Sequence, residues 1–193
     1  MADMTDPAKT QSAAVATAPG DLGFVHAFLN TRDNAGRERL DTPERLAFWL
    51  AQRSIVPAGS AIKKRDFDDV RDLREALREI VSEPGRMRRP HLARLNELAL
   101  NGTMFVRFGK NEVPELASTA KAGIPTLIAR ILAAIFQSSL GDEWSRMKMC
   151  RNPECGMVFY DRSKNRSAVW CSTTGCGNRL NARAYRSRLE TSA

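Results

Sequence analysis

Residues 150–179 read CRNPECGMVFYDRSKNRSAVWCSTTGCGNR, and this stretch decides how the whole 193-residue chain is organised. It holds all four cysteines, Cys150, Cys155, Cys171 and Cys176, as two Cys-x4-Cys pairs with fifteen residues between them. Two such pairs supply the four thiolates of a tetrahedral metal site. The N-terminus lacks a basic segment followed by an apolar core, and no run approaches the roughly 20 apolar residues of a membrane span. The expectation is a cytoplasmic protein without a membrane partner, and in that reducing compartment disulfides are rare. One zinc ion is therefore the expected cofactor, with free or redox-active thiols as the alternative. A catalytic zinc keeps one position open for water, whereas four cysteines fill all four, so the expected zinc is structural.

The residues inside each pair suit that role. Asn152-Pro153-Glu154 and Ser172-Thr173-Thr174-Gly175 are turn formers that let backbone amides point at sulfur, and Gly156 and Gly177 each follow the second ligand. The segment's own apolar groups are few: Val158, Phe159, Val169, Trp170 and Leu180. Metal binding would then supply its folding energy. Asp161, Ser163 and Asn165 read as the turn joining the knuckles or as a polar site, and Trp170 as a lid over the metal or a platform for a base.

Charge is concentrated at the same end. Between Arg146 and Glu190 stand ten Lys/Arg and three acids, an excess of +7 within a chain whose net charge is +8. From Leu180 to Leu189 the spacing predicts a helix with Arg179, Arg183 and Arg186 on one face, Arg188 to the side and Asn178 at the start. These five residues are the candidate nucleic-acid contacts, against a merely solvated basic face.

Working outward towards the N-terminus, the apolar segment Ile124–Leu140 reads as the central core helix, with Leu127, Ile128, Ile131, Leu132, Ile135 and Phe136 around it. No long linker separates it from Cys150, so the two parts are expected to pack together. Thr103–Phe108 and Glu112–Ser118 flank Gly109-Lys110-Asn111 as a β-hairpin in which Pro114 limits pairing. Pro90 opens a helix that Asn101-Gly102 ends. A longer helix runs from about Asp66 to Pro84-Gly85, with Phe67, Val70, Leu73, Leu77, Ile80 and Val81 inward, its other face charged and Asp68-Asp69 in solvent. Thr42-Pro43 starts another. A short helix begins at Leu22 with Val25, His26 and Leu29 on one face and stops at Asn30–Asn34. Residues 1–20, rich in Ala, Thr, Ser and Pro, read as a flexible tail.

The Cys150-x4-Cys155 pair, Phe159, Asp161, Ser163, Asn165-Arg166, Trp170-Cys171-Ser172 and Cys176-Gly177-Asn178-Arg179 together resemble the CGNR-type zinc finger. Such fingers follow an N-terminal ABATE domain in a family of stress-induced transcription regulators, and the likeness spans about residues 20–190. Leu29-Asn30-Thr31 and the helix at 124–140 are similar to that domain. This chain has Val169 and Leu180-Asn181 where the family carries basic residues. The resemblance implies DNA as partner.

The predicted fold is thus mostly α with a small β-hairpin. It comprises a tail (1–20), a helical ABATE-like domain (21–143) with its hairpin near 103–118, and a treble-clef or ribbon-like four-cysteine zinc module ending in a helix (144–193). Asn30 and Arg32 are candidate contacts for a small-molecule effector, or simply a helix cap and a surface charge; His26 and His91 are the other polar residues of note. No Gly-x-Ser-x-Gly elbow, phosphate-binding glycine loop or His-Glu-x-x-His helix is present, so an enzyme is not expected. The expected function is a DNA-binding transcription regulator whose helical domain senses a signal or mediates assembly. A protein-interaction module merely stabilised by zinc is the alternative.

Overall fold

The computed structural model describes residues 17–84 and 89–191. Residues 1–16 of the expected tail lie outside the described residues. Thr17–Gly20 are described, and Ala18 is buried in the core. The helical domain therefore begins before residue 20.

Six helices and two small antiparallel sheets make up the described residues. Helix α1 (Leu22–Leu29) buries Leu22, Val25, Phe28 and Leu29. Helix α2 (Pro43–Ala51) starts where the Thr42 hydroxyl accepts the Arg45 amide at 3.3 Å and Pro43 occupies the first turn. Trp49 of α2 meets Phe24 and Phe28 of α1 with ring centroids 5.7 and 5.8 Å apart, the tilted arrangement that aromatic quadrupoles favour.

Helix α3 (Lys64–Ser82) presents Phe67, Val70, Leu73, Leu77 and Val81 to the core. Its charged residues are less solvated than expected. Arg74 and Arg78 share the buried face, four residues apart, and Asp69 is buried against Arg94 of helix α4 (Arg89–Ala99). Arg74 is fully enclosed because its guanidinium finds partners there: Glu38 takes two of its N–H groups, at 2.5 and 2.8 Å, and the Thr31 hydroxyl takes another at 2.9 Å. An enclosed arginine is tolerable only when its donors are met in this way.

Strands β1 (Met104–Phe108) and β2 (Pro114–Ser118) pair from Met104↔Ser118 to Phe108↔Pro114. The Gly109 amide donates to Val113 and the Thr119 amide to Thr103. By the alternation of an antiparallel ladder, Pro114 falls at a position whose N–H would point away from β1. Its missing donor costs this pair nothing. Helix α5 (Ile124–Leu140) crosses the core with Leu127, Ile128, Ile131 and Ala134 buried and Leu132 and Ile135 partly so, but Phe136, expected there, is exposed.

A 3-10 turn (Trp144–Arg146) leads into β3 (Met147–Met149), which pairs with β4 (Val158–Tyr160). Met147 and Val158 lie in the same apolar core as α1, α3 and α5. The cysteine module is built on the helical domain rather than beside it. The described residues close with helix α6 (Asn178–Thr191), entered through a π-helical turn (Thr173–Gly177).

Candidate metal centre and basic helix

The four cysteine sulfurs lie within 4.8 Å of one another. Cys155 and Cys171 stand 3.6 Å apart, Cys171 and Cys176 3.8 Å apart. A tetrahedron with metal–sulfur bonds of about 2.3 Å has edges of about 3.8 Å, so the donors present fit a zinc-sized ion. Electrostatics point the same way. Hydrogen bonds from the neighbouring Cys155 and Cys171 hold the Cys150 thiol far down, at about 2, while that thiolate pushes Cys155 up to about 12 and raises Cys171 too. Four adjacent thiols cannot all ionise unaided; a divalent cation removes that penalty.

Local turns hold the sulfurs. In the first knuckle the Cys155 amide donates to Asn152 at 2.9 Å and the Cys150 amide to Met157 at 2.8 Å. Asn152 is buried: its carboxamide oxygen accepts the Glu154 amide, and its N–H points at the Cys176 sulfur 3.5 Å away. Such a donor to a ligand sulfur offsets part of the site's negative charge. In the second knuckle the Ser172 hydroxyl accepts the Gly175 amide at 3.1 Å. Gly177 lets the Trp170 ring approach closely, since a Cβ there would stand a tight 3.1 Å from it. Trp170, half-buried, packs there and also walls a cleft of about 400 Å³ with Tyr160, Arg162 and Thr173.

Asp161, between the knuckles, is a turn builder. It is buried, accepts the Ser163 and Ala168 amides, and pairs with Lys148 at 2.7 Å. Burial alone would push its carboxyl up, but Lys148 and Ser163 outweigh it and hold it at about 2.

The first knuckle is fastened to the helical domain by polar contacts. The Asn34 amide donates to Cys155 at 3.0 Å and its side chain to Pro153 at 3.1 Å. Arg78, buried, donates to the carbonyls of Gly156 (2.9 Å), Leu29 (2.8 Å) and Arg32 (3.0 Å). Gly156 sits at φ +58°, and a Cβ there would collide with the Asn34 side chain, so only glycine serves. Asn30 is buried and pairs with the Val158 backbone through both ends of its carboxamide, accepting the amide at 2.8 Å and donating to the carbonyl at 2.9 Å. His26 Nε2 lies 2.9 Å from that carbonyl and 3.1 Å from the Asn30 side-chain nitrogen; burial holds its pKa below the ordinary value. Arg32 is half-exposed and pairs with Glu75 at 2.6 Å, and His91 pairs with Glu79. Sequence reading did not foresee the parts played by Asn34, Arg78 and Asn152, whose partners lie 24 to 119 residues away in the chain.

On α6, Asn178, Arg179 and Arg186 are exposed, and Arg183 makes an exposed pair with Glu154 at 3.2 Å. The Arg188 side chain lies outside the described residues. Among the described residues, no helix is long and apolar enough to cross a membrane.

Two family models match. One described as a CGNR zinc finger covers residues 146–189, and one named ABATE, described as "Putative stress-induced transcription regulator", covers residues 24–138. No curated protein matches the chain. The cysteine cluster lies within the matched zinc-finger module, and the chain belongs to the ABATE family, with a CGNR zinc finger over residues 146–189.

Proposed function

We propose that this protein is a cytoplasmic, DNA-binding transcription regulator of the stress response, whose single structural zinc fixes α6 against the helical domain. The observation that carries this reading is the exposed cationic side of α6, with Asn178, Arg179, Arg183 and Arg186 in solvent beside a metal knuckle. Guanidinium groups at helical spacing suit phosphates and guanine edges, and Asn178 at the helix start suits a phosphate or adenine. The family description supports the regulatory role. The zinc supplies a fixed scaffold when bound and takes no part in chemistry, so we read a binding protein rather than an enzyme.

Duplex titrations at several salt concentrations test this. Affinity should fall steeply with salt, and Arg183→Ala combined with Arg186→Ala should weaken binding and flatten the log–log slope by about 2, since each phosphate contact contributes roughly 0.9. Background-level binding at low salt would overturn the proposal in favour of a protein-interaction module in which zinc only stabilises the C-terminal segment.

A further inference from the structure

The hairpin β1–β2 carries apolar surface that the fold leaves uncovered. Phe105 is 48% exposed, Val106 61%, Phe108 73% and Val113 62%. Near the base, Met104, Leu116 and Ser118 line a cleft with Thr126, Ala129 and Ala133 of α5, while Val106 and Phe108, on the face of Met104 by alternation, stand in solvent. Together the four exposed side chains present on the order of 400 Å² of apolar surface, which strand alternation divides between the two faces of the ribbon, Val106 and Phe108 on one and Phe105 on the other.

The backbone narrows what can bind. The Gly109–Val113 and Thr103–Thr119 hydrogen bonds set the ladder's phase, so the N–H and C=O groups of Met104, Val106 and Phe108 point away from β2. Among the described residues no hydrogen bond from outside the hairpin reaches them. The outer edge of β2 begins at Pro114, which has no N–H to offer and blunts that side. The edge of β1 carries no such block among the described residues.

We propose that β1 pairs antiparallel with β1 of a second copy of this chain, about a two-fold axis at Val106, giving a four-stranded sheet β2-β1-β1-β2. The sequence of β1 is self-complementary in this register. Val106 faces Val106, and Met104 faces Phe108, so apolar side chains meet on one side of the sheet. On the other side Phe105 faces Arg107, whose guanidinium is held by Glu115 at 2.7 Å and can lie against the ring. No like charges stand opposite one another. Residues 103–118 also carry two basic and two acidic groups, so two copies meet at a neutral patch although each chain is +8. The apolar area is about half of the roughly 800 Å² per partner of a stable interface, so the dimer should be reversible. This assignment does not rest on DNA binding.

Sedimentation equilibrium of the full-length, metal-loaded chain over a concentration series tests it. The wild type should move between monomer and dimer masses. Val106→Pro, which removes the outward N–H at an edge position, and Val106→Glu should each leave a monomer whose circular dichroism is unchanged. Mixing Val106→Glu with Val106→Lys should restore a dimer that native mass spectrometry identifies as one chain of each. A wild type that is monomeric at its highest soluble concentration would overturn the proposal. So would a dimer indifferent to both single variants, or a mixture that fails to pair.

Discussion

The two halves of the zinc finger are held in different ways. The first knuckle is tied to the helical domain by Asn34, Arg78, Asn30 and His26, with Val158 in the common core. The second knuckle and α6 have fewer holds: the shared cysteine cluster, the Asn152 N–H at the Cys176 sulfur, Trp170 against Gly177, the Arg151–Val169 backbone bond and the exposed Arg183–Glu154 pair. One half belongs to the helical domain, and a bound ion would join the other half to it. On the proposed reading the basic helix is then oriented by coordination more than by packing, which leaves its surface open.

The strongest way to break this asymmetry is to remove the metal. Coordination by four cysteines contributes on the order of 10 kcal/mol or more to folding of such modules, and little else secures the second knuckle. Chelation should abolish amide protection in residues 171–191 in hydrogen-exchange mass spectrometry, while α3 and α5 keep theirs. Equal loss in both regions would mean that the helical domain depends on the ion as much as the finger does. Persistent protection in α6 would show that the metal is not what holds it.

The next largest effect should come from Arg78. Its truncation to alanine leaves three carbonyls, of Leu29, Arg32 and Gly156, without their charged donor in a buried place. The expected loss is on the order of 3 kcal/mol, read from the urea midpoint. Arg183→Ala removes an exposed ion pair of the other knuckle and should cost no more than about 1 kcal/mol. Similar costs for the two arginines would erase the distinction between the halves.

Asn30→Ala is smaller but more local. It removes the acceptor of the Val158 amide and leaves the Val158 carbonyl to His26 alone, and two neutral buried hydrogen bonds are worth about 2 kcal/mol in all. The loss should appear as faster exchange at the Val158 amide with α6 protected as before. A variant as stable as the wild type would show that water replaces the carboxamide without penalty.

The metal ligands were legible in the sequence because their chemistry requires cysteines in close pairs, and spacing alone places them. Helix ends were legible where local signals govern them, as at Thr42-Pro43 for α2 and Asn101-Gly102 after α4. Asp69 was misjudged because polarity was taken to mean solvent, and Arg74 and Arg78 were not singled out. Their positions, one after Leu73 and one after Leu77, already placed them on the apolar face of α3. What spacing could not disclose was the partners, Glu38 and the Gly156 carbonyl, which only the tertiary fold brings near. Asn30 stood out as a polar residue at a helix end, but its partner Val158 is 128 residues away. Side-chain to backbone pairing at that range leaves no periodic trace.

His26 offers the finest probe of the fastened half. Its buried imidazole is held neutral by desolvation, only partly countered by its bond to the Val158 carbonyl, so its folded pKa lies below the ordinary 6.5. The unfolded chain takes up a proton near 6.5 that the folded chain refuses. Below that pH the unfolded state binds more protons, and stability falls as pH falls. Above it neither state is charged and the contribution is complete. Acid also protonates the thiolates and loosens the metal, which adds its own decline. His26→Gln separates the two, since glutamine keeps a donor for Val158 without titrating. Urea midpoints measured from about pH 7.5 down to about pH 5 should fall less steeply for the variant, with the profiles parallel above about 6.5. Parallel profiles throughout would mean that His26 carries none of the pH dependence, and the acid sensitivity would then belong to the metal alone.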